Sequence, residues 1–172
     1  MNRYLRLLER VKTSHKLDGA VAAVDPVAGK LVAREPVRRV LRGDSTGIPL
    51  HVIVKDLPFG AWTFAQVLDF FPDDASRQAA THLVGVGLLG VAPAAITGWG
   101  EWSLCDKETR RAGIVHAALN GVATVVFLSS WLARRGEHHE TGIRLARFGG
   151  ALLVAAAFVG GNMTNSARLR DH

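Results

Sequence analysis

The chain has 172 residues, 48% of them hydrophobic and 21% charged, with a formal net charge of +6. That length suits one domain with a sizeable core, and the apolar share excludes an intrinsically disordered chain, which needs low hydrophobicity and high net charge. A single cysteine, Cys105, excludes an intrachain disulfide framework and a cysteine-based zinc cluster. A pI near 10.2 fits either phosphate neutralisation or a membrane protein with basic cytoplasmic segments, and the mean hydropathy of +0.15 averages two unlike regions.

The first region is residues 1–47, which hold ten of the 21 Lys and Arg against five acids. Its start, MNRYLRLLERVKTSHKLDG, is charged throughout and lacks the apolar h-region of a signal peptide. Leu5, Leu8 and Val11 recur at helical spacing among Arg3, Arg6, Arg10 and Lys12. This predicts a basic amphipathic helix, either lying on an anionic membrane surface or packed on the protein's own membrane domain. A loop is expected around Asp25-Pro26 and Ala28-Gly29. A short helix then runs from Pro36 through Val37, Val40 and Leu41 to a stop at Gly43.

The second region contains four apolar stretches, at 52–71, 81–100, 112–133 and 143–161. Each is about 20 residues, the length that crosses about 30 Å of hydrocarbon. No charge interrupts Ala117 to Leu132 or Phe148 to Met163. The expected fold class is all-α: an integral membrane four-helix bundle with a short basic amphipathic-helical N-terminal leader. The leader is 1–47, the four-span domain 48–165 and the tail 166–172. With four spans and Lys55 set aside inside the first, Lys and Arg divide fifteen to five in favour of the side holding both termini. That asymmetry predicts a multi-pass protein of the bacterial cytoplasmic (inner) membrane with both termini cytoplasmic.

Several motifs lose their meaning in this setting. Gly85-Val86-Gly87-Leu88-Leu89-Gly90 spells a dinucleotide fingerprint, but it lies inside an apolar span, where glycines instead let helices approach. The sequon Asn162-Met163-Thr164 falls at the expected cytoplasmic face, and Glu137-His138-His139-Glu140 reads as a solvated outer loop. Nucleic acid is not an expected partner, because no zinc-finger pattern or interleaved stacking aromatics accompany the basic leader. No Ser/His/Asp or Cys/His nucleophile set is suggested, so an enzyme is not expected.

Polar groups inside spans are costly and normally face the bundle interior. His51, Asp56, Glu101, His116, Asn120 and Asn162 come from four different stretches and all fall toward the expected cytoplasmic end. His116 and Asn120 lie one helical turn apart and share a face. One reading is an interhelical hydrogen-bond network, with Trp99 and Trp102 as interfacial anchors. A second makes His51 and His116 ligands of haem iron or a metal ion, with Asp56, Glu101, Asn120 and Asn162 as further ligand or supporting polar groups. Ion or proton conduction is a third. A Lys55–Asp56 ion pair would account plainly for both of those residues.

The ordered set Ile48-Pro49-Leu50-His51, Asp56-Leu57-Pro58-Phe59-Gly60-Ala61-Trp62-Thr63, Leu68-Asp69, Leu83-Val84-Gly85-Val86-Gly87-Leu88-Leu89, Pro93-Ala94, Thr97-Gly98, Trp102, Arg111, His116-Ala117-Ala118-Leu119-Asn120, Ser130-Trp131 and Gly160-Gly161 resembles a bacterial membrane family of unknown function, the domain-of-unknown-function family numbered 2231. The resemblance runs from about residue 3 to 165. It implies a four-span membrane protein without an assigned activity. Some actinobacterial relatives carry a Rieske iron–sulfur domain after the fourth span, which points to membrane electron transfer. No Rieske Cys/His pairs occur in this chain. It departs from the family pattern at Ile48 and Val52, where a His-Pro-Leu-His-Pro stretch has His and Pro. It departs again at Asn162, where His is common, and at Glu101, where Asp is usual. His51 and His116 remain of the family's histidines. The expected function is a non-enzymatic membrane subunit or anchor with a redox protein partner or a second copy of itself, in contact with membrane lipid. The alternative is a haem- or metal-binding electron-transfer component using His51 and His116.

Overall fold

A computed structural model describes residues 3–168, with the side chains of 162 and 164–168 outside the description. All regular elements among them are helical: α1 (Arg3–Lys12), a 3-10 turn (His15–Leu17), α2 (Asp18–Leu31), α3 (Glu35–Arg42), α4 (Leu50–Val54), α5 (Asp56–Leu68), α6 (Asp74–Ser103), α7 (Lys107–Arg135) and α8 (His139–Arg168).

The N-terminal region is more helical than its sequence suggested. Helix α2 runs straight through Asp25-Pro26 and Ala28-Gly29, where a loop was expected. Pro26 removes one backbone donor, yet Val21 and Ala28 on the same helix are buried against Trp102, and that packing outweighs the loss. Helix α3 carries Pro36 in its first turn and ends at Gly43, whose φ of 73° is the left-handed conformation that closes a helix.

Three helices, α6, α7 and α8, are long and apolar enough to cross a membrane. The stretch expected as the first span is divided into α4 and α5 at Lys55. Pro58 explains the break: it has no N–H to offer the Val54 carbonyl, and its ring crowds that turn. Asp73 and Asp106 start α6 and α7 by accepting the backbone N–H of Ser76 and Thr109. Each also accepts the hydroxyl of that residue, at 2.7 and 3.1 Å.

Helices α5 to α8 share one core, formed by Trp62, Ala65, Ala80, Val84, Ala123, Phe127, Ala146 and Leu153. Alanines recur because small side chains let helix backbones close together when no water drives the packing. Helix α5 packs on α6 and α8, and α7 packs on the same two, so α5 and α7 face each other diagonally. Across that diagonal the Trp62 and Phe127 rings stack 4.1 Å apart at 7°.

The two helix pairs, α4/α5 with α6 and α7 with α8, repeat one another. A shift of 65 positions, the separation of the paired Asp69 and Arg134, also carries His51 onto His116, Lys55 onto Asn120 and Trp62 onto Phe127. A slightly shorter shift carries Gly87, Ala94 and Gly98 onto Gly149, Ala156 and Gly160. The contacts repeat with the residues. Trp62 lies against Gly87 as Phe127 lies against Gly149, and His51 lies against Gly98 as His116 lies against Gly160. A pseudo-twofold axis parallel to the helices therefore relates the two pairs.

Candidate functional site

Helix α4 presents His51 to α6. Its Nδ1 lies 3.0 Å from the Ala94 carbonyl and 3.3 Å from the Thr97 hydroxyl oxygen. A carbonyl only accepts, so Nδ1 carries the proton and the neutral ring keeps its lone pair on Nε2. Thr97 is held in turn by donating to the Pro93 carbonyl at 2.8 Å, so the ring's seat is fixed from the helix side.

The second histidine repeats this seat. His116 on α7 donates Nδ1–H to the Ala156 carbonyl of α8 at 2.9 Å, and its Nε2 accepts from the Asn120 amide at 3.2 Å. That amide also donates to the His116 backbone carbonyl at 2.8 Å. In both seats the accepting carbonyl lies one turn before the glycine under the ring. A Cβ on Gly98 would meet His51 Cε1, Nδ1 and Nε2 at 3.0, 3.2 and 3.5 Å, and one on Gly160 would meet the same atoms of His116 at 2.8, 3.0 and 3.6 Å. The two imidazoles thus hold one pose twice, at the same end of the core.

The other residues singled out from sequence divide. Asn120 joins His116. Asp56 pairs with Lys55 at 2.8 Å and is exposed. Glu101 is half-buried one turn beyond Thr97 on α6. Asn162 belongs to α8, but its side chain lies outside the described residues. Trp102 is not an interfacial anchor: it is 3% exposed, and its indole donates to the Arg110 carbonyl at 2.8 Å. Trp99 is half-buried and meets it edge-on at 5.4 Å. Gly85, Gly87 and Gly90 of the false fingerprint face Trp131, Trp62 and Pro58, as helix-contact glycines should.

Two sets of ion pairs join elements far apart in the sequence. At the end bearing the histidines, helix α2 is clasped to the start of α7. Arg111 binds Asp18 through Nε at 2.7 Å and Nη2 at 3.0 Å, and Arg110 binds Asp25 at 2.6 Å. The Arg111 guanidinium, with Lys107 and His15 adding to it, holds the Asp18 carboxyl far below the usual carboxylate range. At the opposite end Asp69 and Arg134 pair in the interior. The signal for both was acid and base far apart in sequence, which periodicity does not connect. A separate groove of about 1060 Å³ opens between α6 and α7 at that opposite end, lined by Arg77, His82, Leu89, Leu128 and Arg135.

Neither the curated proteins nor the solved structures contain a match to this chain. Residues 47–171 match the family described as "predicted membrane protein (DUF2231)", and the chain belongs to that family of membrane proteins of unknown function.

Proposed function

We propose that the protein is a four-span subunit of the bacterial cytoplasmic membrane, with both termini in the cytoplasm, that serves as a non-enzymatic anchor for a redox partner protein. The observation that carries the four-span reading is outward apolar surface. Leu89 on α6, Val125 on α7 and Phe158 on α8 are 80%, 63% and 59% exposed. In water such a surface demands a partner, whereas in hydrocarbon it is an ordinary outer face. Helix α5 carries the same surface, with Phe64 at 65% exposed beside Phe59 and Val67. Leu50 to Leu68 rises about 28 Å at 1.5 Å per residue, close to the roughly 30 Å of a hydrocarbon core. This supports a fourth span that crosses despite its break at Lys55.

The cation count supports the orientation, and burial strengthens it. Arg134, counted among the outer charges, is buried and paired, so it is no loop charge. Exposed Arg3, Arg6, Arg10, Arg34 and Arg39 give the leader a cationic surface for anionic headgroups or an acidic partner. The leader is taken as 1–47 and the membrane domain as 48–165. The redox class of partner comes from the family resemblance to Rieske-bearing chains.

Native electrophoresis of the protein, extracted in mild detergent from its own membranes, tests the subunit reading. The expected species contains a second polypeptide carrying an iron–sulfur, flavin or haem chromophore. Migration as the 18.5 kDa chain alone, or as a simple multiple of it, contradicts the reading.

A further inference from the structure

The pseudo-twofold axis brings two like imidazoles to one end of the core, and their equivalence calls for an explanation beyond packing. A single ring pinned to a carbonyl fastens two helices. Two rings in the same pose, at one end of helices that the axis relates, offer a pair of nitrogen donors to one ligand between them. Nδ1–H donated to a carbonyl is the supporting contact that orients a ligating histidine and raises the basicity of Nε2.

The donor set narrows the ligand. Among the described residues no group of three or more His, Cys, Asp or Glu is placed to hold a metal ion. Two neutral nitrogens fall short of the four or more donors a bare transition ion requires. A metalloporphyrin brings four nitrogens of its own and asks for two axial ligands. It also carries carboxylates, and Lys55, one turn on from His51 and the symmetry mate of Asn120, supplies a cation at that end of the core. We propose that His51 and His116 form a paired axial site for b-type haem on the pseudo-twofold axis. Asn120, which donates to Nε2 of His116, must surrender that hydrogen bond when iron binds. This deepens the membrane-subunit reading and rests on it for the bundle, but not for the orientation or the partner.

The test is titration of the full-length protein, in detergent or nanodiscs, with ferric protoporphyrin IX. The expected result is one equivalent bound with a low-spin, six-coordinate spectrum. His51→Gln and His116→Gln separate the two roles, because glutamine retains an N–H for the carbonyl but does not replace imidazole as an axial ligand. Each variant is expected to stay folded, to lose the low-spin spectrum and to bind at least about tenfold more weakly. His51→Gly and His116→Gly with added imidazole should regain the spectrum and cover the case in which a glutamine variant misfolds. Asn120→Ala is expected to bind haem at least as tightly as the parent. Failure of the parent protein to take up one equivalent overturns the proposal, as does an unchanged spectrum and affinity in both glutamine variants. Either failure leaves the membrane-subunit reading standing, since extraction and topology are measured without haem.

Discussion

Asp69 and Arg134 meet as a bidentate ion pair, at 2.7 and 2.6 Å, with side chains 3% and 1% exposed. Asp69 caps the end of α5 and Arg134 lies in the last turn of α7, so the pair ties the diagonal helices at the end remote from the histidines. Arg134 also donates Nε–H to the Ser130 hydroxyl at 3.2 Å. A buried pair of this kind costs most when half of it is removed, because the remaining charge has no partner. Asp69→Asn and Arg134→Gln are each expected to lower stability by about 3–5 kcal/mol. The double variant Asp69→Leu/Arg134→Met should lose less than the sum of the singles. Thermal unfolding in detergent reads this, and strictly additive losses would contradict the pairing.

The glycines differ in what they face, so their alanine variants should rank. A Cβ at Gly87 would overlap the Trp62 indole nitrogen, which donates to the Val84 carbonyl at 3.1 Å. A Cβ at Gly149 would stand 2.8 Å from Phe127, and one at Gly121 would meet nothing. Gly87→Ala should cost about 1–3 kcal/mol through forced repacking, and Gly149→Ala should cost less. Gly121→Ala should gain about 0.5–1 kcal/mol from helix propensity. Equal effects at Gly87 and Gly121 would refute the contact assignment.

The leader's clasp has a pH signature. Asp18 is held below its ordinary carboxylate range by the Arg111 guanidinium, with Lys107 and His15 contributing. A depressed folded value means that the carboxylate stabilises docking at every pH above the ordinary range. That contribution declines progressively as the pH falls from the ordinary carboxylate range and is gone below the lowered value. Hydrogen exchange of the α2 amides should therefore stay slow through the range where free aspartate protonates. Asp18→Asn should expose the leader to trypsin already at neutral pH. Rapid α2 exchange at mildly acidic pH in the parent protein would show that the clasp does not hold it.

Cys105 lies in the short connection between α6 and α7, half-buried. Burial first, then the nearby Glu101 and Asp106 carboxylates, push its thiol up to about 11. Only the thiolate reacts, so alkylation at pH 8 should be far slower than for a free cysteine, with the rate still rising between pH 9 and 11. A rate that levels off near pH 9 would mean that the thiol is not so shielded.

The long apolar helices were legible because hydrocarbon length and missing charge are local properties of the chain. The break at Lys55 was less so: Pro58 marks it, but the apolar run through 52–71 masks the mark. Pro26 misled in the opposite direction, since the packing of Val21 and Ala28 on Trp102 overrides its local penalty. His51, His116 and Asn120 stood out as polar groups in apolar helices, and they do lie at one end. The repeat that relates them was hidden, because its few identical pairs, such as His51 with His116 and Gly98 with Gly160, fall at two different shifts. Between them stand unlike partners, Trp62 with Phe127, Lys55 with Asn120 and Asp69 with Arg134.

The most direct test of the four-span account is cysteine accessibility on a Cys105→Ser background, using a membrane-impermeant maleimide on intact cells. Single cysteines at Thr46, Pro72, Lys107 and Glu137 sample the exposed ends of every proposed span. The account predicts labelling at Pro72→Cys and Glu137→Cys from outside, and at Thr46→Cys and Lys107→Cys only after lysis. Thr46→Cys and Pro72→Cys labelled from the same side would show that α4 and α5 do not cross, and would contradict it.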